Sequence, residues 1–145
     1  MTDNDFTLDG STATYILPPT QGDIQGTYTG TFVFRCFLDP IRQLQAGREY
    51  REYLGKHAVL ATEVDDNLSF ALSQLKHRIL KAPPFWTSTI QDSGIAGNLP
   101  DLNIIVLILQ AAMRAENLYK EKMVELRESI LDRTIKVAED KAKEE

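Results

Sequence analysis

Residues 101 to 145 read DLNIIVLILQAAMRAENLYKEKMVELRESILDRTIKVAEDKAKEE, and neither glycine nor proline interrupts them. Asp101, following Leu99-Pro100, is a suitable N-terminal cap, so the stretch predicts one helix running to Glu145. At about 1.5 Å per residue that helix extends on the order of 60 Å, further than the core of a chain this size can cover. Its character also changes along the way. Leu102 to Met113 is apolar nearly all round, as in a helix central to a fold. Beyond that the apolar residues thin, and Tyr119, Met123, Leu126, Ile130 and Val137 follow one another at intervals of four, three, four and seven, a seam of heptad type. Glu116 with Lys120, Asp132 with Lys136, and Glu139 with Lys143 place an acid four residues before a base, which supports a helix in water. Two readings stay open: a terminal helix packed on its own domain, or a seam offered to another subunit. Past Ile130 the pattern favours the partner.

The rest of the chain supplies the body on which this helix sits. Thr27 to Phe37 is rich in Thr, Tyr, Phe and Val and reads as a strand, with Tyr28, Phe32, Phe34 and Cys36 on the core face and Thr29, Thr31, Val33, Arg35 and Phe37 on the other. Ala13 to Leu17 is a second β-prone stretch, expected to pair with it as an antiparallel hairpin and to end at Pro18-Pro19. Residues 1 to 12 are polar and acidic and read as an arm, ordered only where something docks it, with Phe6 and Leu8 as anchors. Asp39-Pro40 starts a helix expected over 40 to 54, with Ile41, Leu44, Tyr50, Tyr53 and Leu54 as its apolar side and Gly55 as its stop. Gly47 within it suggests a close contact or a break. Thr62 and Asp65 resemble a capping box, and Val64, Leu68, Leu72, Leu75 and Ile79 repeat at helical spacing, giving a helix expected over 63 to 81 before Pro83-Pro84. Phe85 to Pro100 reads as a loop pinned by its aromatics. The fold class is therefore α+β and helix-dominated, a small antiparallel β element on two helices plus a long C-terminal helix, organised as arm 1–12, core 13–113 and helical extension 114–145.

Composition narrows the function. With 16 basic and 21 acidic side chains the net charge is −5, so nucleic acid is not the expected partner. One cysteine, Cys36, cannot make an intrachain disulfide, and the acidic start lacks the pattern of a secretory signal. The longest apolar run is about half the ~20 residues that span a bilayer, so no membrane partner is expected.

The residue types that carry chemistry are sparse. His57 and His77 have no His or Cys at metal-ligand spacing, and no phosphate loop, serine elbow or zinc-protease pattern occurs. Asp65-Asp66 reads as first-turn acids facing the helix dipole. Arg42, Arg48, Arg51 and Lys56 alternate with Glu49 and Glu52 as a solvated face, and Arg35 reads as an outward charge on an edge strand. No catalytic residue, metal site or cofactor is expected. The alternative is a small-ligand or enzymatic pocket between the β element and the second helix, using His77 and Arg35.

Several stretches together resemble a family: Tyr28-Thr29-Gly30-Thr31-Phe32-Val33-Phe34-Arg35, Arg48 to Gly55, Asn67 to Leu75, and Ala82-Pro83-Pro84-Phe85-Trp86 ahead of a Leu/Ile-rich helix. In this order they are similar to small proteins of tailed bacteriophages described as tail-assembly-chaperone-like or virion-associated. The resemblance implies a non-catalytic role in building a virion, in the virion or the host cytoplasm, with itself and other virion proteins as partners. The acidic arm and the long charged helix depart from the usual pattern and favour a permanent subunit over a transient chaperone. Large aromatic, Met and aliphatic side chains make Phe85, Trp86, Tyr119, Met123, Leu126 and Ile130 the expected partner contacts.

Overall fold

The computed structural model describes residues 2–24, 26–55, 62–87 and 101–144. After a 3-10 turn at Asp3–Asp5 come β1 (Phe6–Asp9), β2 (Thr12–Gln21) and β3 (Thr27–Arg35), then α1 (Pro40–Leu54), α2 (Glu63–Arg78), β4 (Ile79–Lys81), the short α3 (Pro84–Thr87) and α4 (Leu102–Glu144). The four strands form an antiparallel sheet in chain order, and the helices dominate the rest, so the fold is α+β.

Alternation along β2 and β3 decides which face is covered. Ala13, Tyr15 and Leu17 point inward with Phe32, Phe34 and Cys36, while Ile16, Thr29 and Thr31 stay exposed, as the two-residue period requires. Register places Tyr15 opposite Phe32 and Ala13 opposite Phe34. The aromatic rings then line up: Phe6 stacks on Tyr15 at 4.8 Å and Phe32 on Phe34 at 5.9 Å. Aromatic pairs of this kind add to the area they bury.

Three strand expectations are corrected. The segment Phe6–Asp9 is a strand, because it extends the sheet along Thr12–Tyr15 and buries Phe6, so the chain itself docks the N-terminal arm. Pro18-Pro19 do not end β2. The ladder shifts register between Leu17 and Thr20, where β1 no longer runs alongside, so the missing N–H groups cost no pairing on that side. The Thr29 hydroxyl donates to the Leu17 carbonyl at 2.9 Å and the Thr20 hydroxyl to the Pro18 carbonyl at 2.8 Å, taking up acceptors near the irregularity. The helix expected to reach residue 81 stops at Arg78, and Ile79–Lys81 pair with β3 instead. That edge of β3 has backbone groups to satisfy, and Ala82, immediately ahead of Pro83, is disfavoured from helical backbone. Arg35 consequently lies on an inner strand, half-buried, and not on an edge. At Gly30, with φ of 152°, an added Cβ would overlap the Pro83 ring. This close approach brings α3 onto the sheet.

The helix termini follow their local chemistry. The Asp39 carboxylate accepts from Arg42 N–H at 2.8 Å, and Gly55, at φ 70°, closes α1 by donating its N–H to the Arg51 carbonyl. Thr62 and Asp65 form the reciprocal capping box of α2, at 3.1 and 3.2 Å. Backbone hydrogen bonds from Arg42 and the Arg42 side chain hold Asp39 below the usual carboxylate range. Gly47 neither breaks α1 nor meets a close neighbour. The apolar side expected of α1 is only partly used: Ala46 is buried, Tyr50 packs edge-on against Phe70, but Ile41 and Leu44 are exposed. Polar contacts also hold α1 to α2, since Glu49 reaches Lys76 at 3.1 Å and His77 Nε2 at 3.0 Å. His77 has thus a structural partner; His57 and the 88–100 part of the expected loop lie outside the described residues.

Candidate protein-docking surface

Helix α4 is positioned first at its N-terminus. The Asp101 carboxylate accepts hydrogen bonds from Ile24 N–H and from the Tyr28 hydroxyl. Asn103 adds two more, accepting from Asp23 N–H at 3.2 Å and donating to the Gln21 carbonyl at 3.3 Å. Gly22 leaves room for the buried carboxylate, where a Cβ would overlap it. The β2–β3 turn is therefore latched to the start of α4. The bond to Asp101 favours the protonated phenol, and with partial burial and the nearby negative charge it pushes the Tyr28 pKa up to about 12.

From this latch the helix crosses the sheet. Ile104, Ile108, Ala111, Ala112 and Ala115 face the core and are essentially inaccessible to solvent. Arg78, buried on α2, donates to Gln74 Oε1 at 3.1 Å and lies 3.6 Å from Glu116, tying α2 to α4. Arg114 grips Asp3 at 2.7 Å and reaches Glu121 at 3.4 Å. The first contact, a side-chain hydrogen bond, holds Asp3 below its ordinary value. Tyr119 packs on Phe37 with ring centroids 5.5 Å apart. The body ends here.

Every residue from Val124 to Lys143 is exposed. At about 1.5 Å per residue this leaves roughly 30 Å of helix projecting beyond the last contact. The heptad seam continues into the projection: Met123 is half-buried, and Leu126, Ile130 and Val137 are 46%, 62% and 54% exposed. A second apolar row, Val124, Leu131 and Ile135, runs along the other side of the helix and is also exposed. Its intervals of seven and four are readable in the sequence and mark a row separate from the seam. An apolar strip of this length on a water-facing helix is the kind of surface that other chains cover.

The six expected contact residues divide. Tyr119, Met123, Leu126 and Ile130 fall on one face of α4. Phe85 and Trp86 do not join them. Trp86 is buried at 3% exposure and meets Phe32 edge-on at 5.7 Å, and half-buried Phe85 packs on Tyr28 at 4.9 Å. They belong to the core of this chain because Pro83 and Pro84 turn them onto the sheet. The alternative pocket was expected between the β element and the second helix, using His77 and Arg35. An apolar groove of about 250 Å³ lies between α2 and α4, lined by Val64, Asn67, Leu68, Ala71 and the first turns of α4. Neither His77 nor Arg35 lines it.

The Cys36 thiol is buried, and burial raises its pKa, the opposite of what a nucleophile needs. Among the described residues no group of three His, Cys, Asp or Glu side chains is placed to hold a metal ion, and no helix is long and apolar enough to cross a membrane. Compared with protein-family models, with curated proteins and with solved structures, the chain matches none.

Proposed function

We propose that this chain is a non-catalytic assembly protein of the tailed-bacteriophage kind, which holds another protein along the projecting half of α4. The observation that carries the reading is the continuation of an apolar seam past the last internal contact, with Leu126, Ile130 and Val137 in solvent. Covering such side chains contributes on the order of 1–2 kcal/mol each before the ordering costs of association. The sequence resemblance supplies the virion setting, in which a firmly anchored helix serves as a handle for a neighbouring subunit. No residue is assigned a catalytic role.

Light scattering and native mass spectrometry of the full chain, alone and mixed with purified head and tail proteins, test the reading. A complex is expected, and Ile130→Asp should abolish it while leaving the melting temperature unchanged. A strict monomer in every mixture overturns the proposal. The apolar groove between α2 and α4 favours a ligand-binding role. A thermal-shift screen would support that role only if a ligand at about a hundred times its Kd added about 2.7 kcal/mol of stability.

A further inference from the structure

The occupant of the seam is either a second copy of this chain or a different protein. The uninterrupted helix from Leu102 to Glu144 keeps one heptad register, so the residues that border the seam can be named. With Met123, Ile130 and Val137 at the a positions and Tyr119, Leu126, Arg133 and Asp140 at d, the bordering e positions are Lys120, Arg127, Thr134 and Lys141. The g positions are Lys122, Ser129, Lys136 and Lys143. No acid borders the seam. The acids Glu121, Glu125, Glu128, Asp132 and Glu139 all fall at c or f, away from it. The bordering Lys and Arg side chains are exposed, and among the described residues Lys122, Arg127 and Lys136 make no ion pair that would neutralise them.

Residues at e and g choose the partner of a helical seam. In a parallel pair of copies Lys122 would face Arg127, and Lys136 would face Lys141. Arg133 would then meet its own copy inside the seam. In an antiparallel pair e faces e and g faces g, and every charged pairing is again positive with positive. Self-pairing is opposed in both directions.

Resting on the docking role proposed above, we infer that the projecting half of α4 receives an amphipathic helix of a different protein, apolar along its contact stripe, with Glu or Asp on both borders and an acid facing Arg133. An anionic membrane is the rival for a basic-edged apolar helix. The seven basic and six acidic residues between 120 and 143 nearly cancel, leaving little attraction to a charged surface. A protein helix meets the seam and its borders, where all seven of these basic residues lie and Asp140 is the one acid.

The test uses the full chain and two labelled peptides of about four heptads with identical Ile/Leu stripes, one with Glu at every e and g position and one with Lys. Fluorescence anisotropy should show the Glu peptide binding at least about tenfold more tightly than the Lys peptide. That advantage should shrink as salt rises from about 0.1 M to about 1 M, where the screening length falls from about 10 Å to about 3 Å. The triple variant Lys122→Glu/Arg127→Glu/Lys136→Glu, altered only at exposed positions, should reverse the preference. Equal binding of both peptides, seam-dependent dimers broken by Ile130→Asp, or tighter binding to phosphatidylglycerol vesicles than to the Glu peptide would each overturn this inference and leave the docking role standing. If neither peptide binds, and Ile130→Asp changes no association of the chain, the docking role falls and the inference with it.

Discussion

Both halves of α4 carry large aliphatic side chains, and these meet opposite fates. Ile104 and Ile108 are fully buried, whereas Ile130 is 62% exposed on the same continuous helix. Hydrophobicity does not separate them. The difference is what lies alongside: the sheet and α2 cover the first half and end near Tyr119. Helical propensity sets the length of the rod, and the width of the sheet sets how much of it is hidden.

The largest expected effect breaks or upholds that contrast directly. Ile108→Ala should cost about 2–5 kcal/mol in urea unfolding of the isolated chain, through lost burial and the cavity left behind. Ile130→Ala should stay within about 0.5 kcal/mol. Equal costs would mean that the distal half is covered in solution and that the contrast is wrong. Next comes Gly30→Ala, which confronts the Pro83 ring and holds alanine at a φ of 152°. A loss of about 2 kcal/mol is expected, in the range of backbone strain and overpacking. Its chemical-shift changes should spread over Phe32, Phe85 and Trp86 and leave the projecting half of α4 untouched.

A smaller effect belongs to the latch. Tyr28→Phe removes the phenol's hydrogen bond to Asp101 and should cost about 1 kcal/mol at neutral pH. The Tyr28 pKa is raised from 10.0 to about 12, so its contribution is complete below about pH 10 and fades as pH rises towards 12. Alkaline titration should therefore narrow the gap between the wild-type chain and Tyr28→Phe. The smallest effect sits where the body gives way to the projection. Asp3, held low by Arg114, contributes stability above the usual carboxylate range and loses it as pH falls through its lowered value. Asp3→Asn should flatten that acid dependence, with little change at pH 7 because the pair is exposed.

How much of this was legible depends on the reach of the physics involved. The caps of α1 and α2, the inward face of β3, and the span of α4 rest on neighbours within a few residues, and each was readable from spacing. The candidate surface was half legible for the same reason. A heptad interval identifies Met123, Leu126 and Ile130 as one face, but nothing local says where the body ends. Phe85 and Trp86 show the limit, since an aromatic pair after two prolines suits an exposed anchor as well as a core plug. Only the packing against Tyr28 and Phe32 separates the two.

Pairing across the sheet was the least readable. Strand β4 is three residues that continue a helical pattern, and they became a strand because the edge of β3 was there to receive them. Phe6–Asp9 likewise lacks a strong strand signal by itself and gains one from its neighbour Thr12–Tyr15. Asp101 was read as a helix cap, but its link to Tyr28 spans 73 positions in sequence.

By itself the order of residues determined the elements governed by short-range forces, together with the charge pattern along α4, because dihedral preference, capping and side-chain period act within one or two turns. Tertiary structure alone decided which apolar residues are spent inside and which are left facing water. Burial is a property of what stands opposite a side chain, and that neighbour comes from far along the chain.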